Sequence, residues 1–172
     1  MTAAIPSDVR VAGGDWPARG ILARLVDDAI AATSATAPGF PNDRHVSVLF
    51  TNDDDIARLN AAWRGKEGPT NVLSFPAAKI PGNEAEPASL GDIALGFETV
   101  IKEAAGSHLT VGEHISHLLV HGLLHLVGYD HADDEEAEAM EAIEVAILGK
   151  LGIADPYAGS EPETTVSAGS KL

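Results

Sequence analysis

The chain contains no cysteine, and only 11 of its 172 residues are lysine or arginine, against 26 aspartates and glutamates. Without thiols there is no disulfide framework, no thiolate zinc site and no cysteine nucleophile, so any metal must be held by imidazole or carboxylate. A formal net charge of -15 makes the chain as a whole repel polyanions such as RNA and anionic membrane surfaces. No run comes near the ~18 apolar residues of a membrane span. Pro6, Asp8 and Asp15 stand where a signal peptide would carry its apolar segment. The resulting expectation is a cytoplasmic protein with no membrane partner, long enough for one domain with a substantial core.

What is present reads as alternating elements. Val9 to Ala12 is a short β-like piece, and Trp16 to Ala32 carries apolar residues at helical spacing until Pro38, Gly39 and Pro41 end the run. His45 to Phe50 (HVSVLF) is a buried strand, and Thr51-Asn52-Asp53 caps a helix through about Trp63. A turn-rich loop, Arg64 to Thr70, leads into a strand at Asn71 to Phe75, and residues 77–89 read as a flexible surface loop. Gly91 to Phe97 alternates like a strand paired with the one before the loop. Helices follow at Glu98 to Ala105, from a Thr110/Glu113 capping box to about Val127, and at Asp133 to Leu151. The expected fold is α+β: a small, mostly parallel sheet of about four strands packed by about five helices, one domain over residues 1–152, with 153–172 a disordered tail.

Five of the seven histidines fall between His114 and His131. His121 and His125 stand four apart on a helix, so both rings project from one face and can meet one ion. Gly128 lets the chain turn back, and His131 arrives as a third ligand. Zinc is the natural occupant, one Zn2+ on three imidazoles with water in the open fourth place, where its pKa falls and a hydroxide nucleophile becomes available. Nickel, copper and iron share this taste for nitrogen. His114 and His117 read as hydrogen-bonded core residues or supports for the ligands. Glu113, Asp130 and Asp133 read as capping or solvated acids. Metzincin proteases share the ligand spacing but place a glutamate base after the first histidine; here that position is Gly122, which argues against a peptide substrate.

Two segments together resemble the YbeY endoribonuclease family: HLLVHGLLHLVGYDH from His117 to His131, and RGKEGPTNVLSFP from Arg64 to Pro76, preceded by Leu59-Asn60. Leu90-Gly91-Asp92-Ile93 is similar to the family's next strand, and the match runs from about residue 8 to 151. The resemblance implies a metal-dependent endoribonuclease acting on single-stranded RNA, with a part in maturing the 3′ end of small-subunit rRNA and in ribosome quality control. Its partners would be RNA and the ribosome, with no DNA. The metal ligands correspond by position to His121, His125 and His131, and the arginine important for activity to Arg64. In the implied mechanism a zinc-bound water attacks phosphorus at the metal on His121 while Arg64, a planar fork of donors suited to phosphate, holds a non-bridging oxygen; attack by the RNA 2′-hydroxyl is the other route. Lys66 and Ser74 are weaker candidates for RNA contact. Trp63 could stack a base, but at the end of an amphipathic helix it reads first as core. The alternatives are a non-catalytic ribosome-assembly factor with a structural zinc and a zinc hydrolase acting on another substrate.

The charge then changes character. Residues 1–131 hold 16 acids and 9 bases, and residues 132–172 hold 10 acids and 2 bases, so more than half the excess lies in the last helix and tail. Arg58, Arg64, Lys66 and Lys79, with Glu67 alone against them, form a local cationic strip on an acidic body. Weak, salt-sensitive binding of free RNA is the expectation.

Overall fold

A computed structural model describes residues 5–77 and 88–158. The elements run β1 (Ser7–Val11), α1 (Arg19–Thr36), β2 (His45–Thr51), α2 (Asp53–Arg64), β3 (Val72–Pro76), β4 (Ser89–Gly96), α3 (Phe97–Ala105), α4 (Val111–Leu126) and α5 (Asp134–Lys150). The sheet order is β1-β2-β4-β3, with β1, β2 and β4 parallel and β3 antiparallel at one edge. The expected α+β architecture is therefore present, with four strands and five helices among the described residues.

Alternation decides which face each strand residue serves. Val46, Val48 and Phe50 of β2 and Ile93 and Leu95 of β4 turn to one side, where they join the main core with Leu22, Val26 and Ile30 of α1 and Ile115, Leu119 and Leu123 of α4. The α1 stripe recurs at i, i+4 and i+8, one face of a helix. The opposite face holds a smaller cluster of Ile56, Leu73 and Ala94, over which α2 packs. Asp8, Arg10, Ser47 and Asp92 share that second face, one strand residue out of phase with the core.

Caps explain most helix starts. Asn52 accepts from the Asp55 N–H at 2.8 Å, Asp133 from the Glu136 N–H at 2.8 Å, and Thr110 and Glu113 form the reciprocal box. The start of α1 differs from expectation: Trp16 lies outside the helix, buried, with its indole N–H shared between the carbonyls of Gly13 and Thr51. That tie fixes Trp16 against β2, so the helix begins only after Pro17. At the other end α1 runs on to Thr36, the first breaker being Pro38.

Ile153 is buried and the Tyr157 hydroxyl donates to Glu144, so residues 153–158 of the expected tail pack back on the domain. The rest of the expected tail, 159–172, lies outside the described residues, as do residues 78–87 of the expected loop and Lys79 with them. Trp63, expected in the core, is 72% exposed.

Candidate metal centre and cleft

His121 and His125 stand one turn apart on α4, which is pressed onto β3 and β4. A Cβ on Gly122 would meet Ser74 Oγ at 3.0 Å and Ile93 Cδ1 at 3.1 Å, and the Ser74 hydroxyl donates to the Gly122 carbonyl at 3.2 Å. The glycine thus allows close packing of helix on sheet. A side chain at this position would run into Ser74 of β3 and Ile93 of β4, so the protease-like base is absent and has no room there.

After α4 the chain reverses at Gly128, whose φ of +104° suits only a residue without a Cβ. The Tyr129 N–H then bonds back to the Leu124 carbonyl at 3.0 Å. The turn delivers two things: the Tyr129 carbonyl, which accepts from His125 Nδ1 at 2.8 Å, and His131, whose backbone N–H is held by Asp130 Oδ1 at 2.7 Å. One ligand atom from each of His121, His125 and His131 lies within 4.8 Å of the others.

The donor set fits a cation. His121 Nδ1 donates to Glu144 Oε2 at 2.5 Å and His125 Nδ1 donates to Tyr129, so in the neutral rings both Nε2 atoms carry lone pairs. Those two atoms are 3.0 Å apart. Two acceptors at that distance repel unless a positive charge serves both. A proton serves poorly, because burial above all, and then the neighbouring His121, lower the basicity of His125. A metal ion answers the same demand without that penalty.

Behind the imidazoles stands a carboxylate that spacing alone did not single out. Glu144 of α5 is fully buried and accepts from His121, from His117 Nε2 at 3.3 Å and from the Tyr157 hydroxyl. Burial works to raise its pKa, but the three donors outweigh it and hold the group at about 2. Tyr157 moves the other way, raised by its own burial and by the adjacent carboxylate. A signal was available: the buried residues of α5 are Met140, Glu144, Ile147 and Leu148, so one acid occupies the apolar stripe at i+4. His117 thus supports the site through Glu144, and His114 bonds Glu103 at 2.8 Å, both as expected of non-ligand histidines.

The imidazoles open into a cavity of about 560 Å³ whose other walls include Arg64, Lys66, Asn71 and Ser74. Arg64 ends α2, and the next residue, Gly65, closes the helix in the left-handed region at φ +65°. Buried Asn60 braces the following loop: its side chain donates to the Gly68 carbonyl at 3.0 Å, and its own carbonyl accepts from the Lys66 N–H at 3.3 Å. The sequence-derived residues Arg64, His121, His125 and His131 therefore border one space. The cationic strip is narrower than expected, because Arg58 is paired with Asp55 at 2.6 Å. Among the described residues Arg64 and Lys66 have no carboxylate partner, and Asp130 is the one acid of the cavity wall. Asp130, Asp133 and Glu113 are all engaged with backbone N–H groups, as capping residues should be.

Comparison with known proteins gives the chain a family. The family described as Endoribonuclease YbeY matches residues 20–152. A protein named endoribonuclease YbeY from Chelativorans sp. (strain BNC1) is 50% identical over 151 residues, covering 88% of this chain and 92% of its own. Its namesake from Sinorhizobium fredii is 46% identical over 166 residues, with 92% and 95% covered. The solution structure of TM1509 from Thermotoga maritima superposes with a TM-score of 0.52 over 94% of this chain and 99% of that one; at 21% identity it speaks for the fold alone. By the length and identity of these matches, the chain belongs to the YbeY endoribonuclease family.

Proposed function

We propose that the protein is a metal-dependent endoribonuclease that cuts single-stranded RNA, with small-subunit rRNA near its 3′ end as the substrate and ribosome quality control as the setting, in the cytoplasm. The observation that carries this reading is that the three imidazoles and two cations, Arg64 and Lys66, which have no carboxylate partner among the described residues, line one open cavity. A cavity open to solvent and walled by two cations suits turnover of an anion better than a closed structural ion site.

His121, His125 and His131 would hold the ion, and zinc is the one that three nitrogen donors suit best. When bound, it supplies a Lewis acid that polarises a phosphoryl oxygen and acidifies water. The protein's own share is positioning and charge. Glu144 and the Tyr129 carbonyl hold the rings of His121 and His125 in the tautomer that presents Nε2 to the cavity. Arg64 offers a bidentate fork to the non-bridging oxygens, whose negative charge grows as the phosphodiester is cleaved. Lys66, on the loop braced by Asn60, adds a second cation for an adjacent phosphate. Asp130 spends one oxygen on the His131 N–H, which helps to place His131.

The test is cleavage of labelled single-stranded RNA by wild type, Arg64→Ala and His121→Ala, with a peptide substrate in parallel and metal content measured for each. RNA cleavage lost in both variants, with metal retained in Arg64→Ala, supports the reading. Metal-loaded wild type that leaves RNA intact overturns it in favour of an assembly factor. A cyclic phosphate on the products would assign attack to the RNA 2′-hydroxyl rather than to water.

A further inference from the structure

Trp63 ends up where a folding argument would not put it. It sits on the last turn of α2 at 72% exposure, and among the described residues its indole N–H has no partner. Its ring neighbour is Phe75 of β3, edge to face at 6.4 Å. Together they flank a second cavity, of about 550 Å³, on the face of the sheet that α2 covers only in part. Its floor is set by register: Asp8, Ser47, Asp92 and Phe75 lie in one row across the four strands, and Arg10, Leu49 and Ala94 in the next.

We propose that this open face is a subsite for an unpaired nucleobase of the RNA substrate, stacked on Trp63 with Phe75 beside it. The proposal rests on the endoribonuclease reading above and extends it past the scissile phosphate. Continuity is the first argument. Pro76 lines both cavities, and Trp63 directly precedes Arg64, which lines the metal cleft, so a strand leaving the cleft over the edge strand β3 meets the indole next. Charge is the second. Among the described residues the cleft offers Arg64 and Lys66 against Asp130, whereas the second cavity offers Asp8 and Asp92 against Arg10. Two carboxylates discourage a phosphate but can accept from the exocyclic amino groups of a base. The two cavities thus divide a nucleotide chain by chemistry, phosphate to one and base to the other. Stacking of this kind needs an exposed π face, which a paired base in a helix does not offer, so the subsite selects single strands without reading sequence.

Only two tryptophans are present, and Trp16 is buried, so emission from Trp63 can be isolated as the difference between wild type and Trp63→Phe. The experiment titrates metal-loaded protein with short single-stranded RNAs, each carrying one abasic nucleotide at a successive position, and follows both Trp63 emission and cleavage. RNA should quench Trp63, one abasic position next to the cut should abolish the quench, and Trp63→Ala should raise KM about tenfold with kcat within about twofold. Tenfold corresponds to roughly 1.4 kcal/mol, inside the range for one stacked base. Trp63→Phe, still aromatic, should keep a KM near wild type. Active wild type with unquenched Trp63 and an unchanged KM in Trp63→Ala overturns the subsite and leaves the nuclease standing. Quenching without any cleavage overturns the nuclease reading and keeps the base site, and absence of both overturns both. An emission change that tracks protein concentration alone assigns the face to self-association and also overturns the subsite.

Discussion

Glu144 Oε2 lies 2.5 Å from His121 Nδ1, and the same buried carboxylate takes donors from His117 and Tyr157. One group on α5 therefore sets the tautomer of His121 on α4 and ties down the segment that follows α5. Removing the charge while keeping the shape tests both duties. Glu144→Gln still offers one oxygen, but its NH2 must face groups that are themselves donors. Metal affinity should fall about 10- to 100-fold, the usual cost of losing an outer partner of a ligand. Stability should fall by about 1–3 kcal/mol as a buried donor goes unmet. Chelator competition and urea unfolding of the metal-free protein measure the two separately. Wild-type affinity in Glu144→Gln would show that the carboxylate does not tune His121.

Arg64 is expected to behave in the opposite way. It is exposed, ends its helix and has no carboxylate partner among the described residues, so Arg64→Ala should change stability by no more than about 0.5 kcal/mol. Cleavage should nevertheless drop by about 10²–10³, the scale of losing one donor to a developing oxyanion. Arg64→Lys should recover only part, because a point charge cannot reproduce the fork. Unaltered rates in Arg64→Ala, with metal and melting temperature intact, would remove Arg64 from the reaction.

Acid should weaken the fold through Glu144 in a definite window. Burial raises its pKa, but the His117, His121 and Tyr157 donors together lower it by more, and the folded value of about 2 lies below the ordinary 4.5. A depressed carboxyl stabilises the fold fully above its unfolded pKa and loses that contribution as pH falls through the folded one. In metal-free protein the stability gap between wild type and Glu144→Gln should therefore be constant above about pH 5 and shrink below about 4.5. Denaturant midpoints for both proteins across that range are the measurement. A gap that widens on acidification contradicts the sign.

Much of this site could be read from the chain because its parts repeat at local spacings. His121 and His125 share a helix face by the i, i+4 rule, Gly128 marks the reversal, and the capping residues declare the helix starts, so ligands and elements emerge from neighbours in sequence. The strand pattern likewise separates buried from open faces. What escaped depends on distant chain. Glu144 meets His121 from 23 residues away, and only its place in an apolar stripe hinted that it was not another solvated acid of α5. Trp16 looked like the start of a helix and is held instead by the Thr51 carbonyl 35 residues on. Trp63 looked like core because α2 is amphipathic, but α2 covers only part of its sheet face, and the helix ends beyond the covered part. Tyr157 sits in a stretch rich in proline and small residues, and its anchor is Glu144, again invisible locally.

Gly122 turns the absence of a protease base into a packing prediction. The Cβ of an alanine there would stand 3.0 Å from Ser74 Oγ, 3.1 Å from Ile93 Cδ1 and 3.3 Å from Ile93 Cγ2. Ser74 can rotate, but Ile93 is 1% exposed in the main core and has little room to yield. Gly122→Ala gains about 1 kcal/mol of helix propensity and should lose more to overpacking, which costs about 1–3 kcal/mol, for a small net destabilisation. Because His121 directly precedes Gly122 on α4, lifting the helix from β3 and β4 should also weaken metal binding. Gly122→Glu is the sharper case: it restores the metzincin sequence, yet drives a carboxylate into the sheet rather than toward the ligands. It should unfold the protein or shed the metal, measured by circular dichroism and metal content, and confer no peptide hydrolysis. A folded, metal-loaded Gly122→Glu protein that cleaves peptides would mean that this helix face looks into the cleft after all.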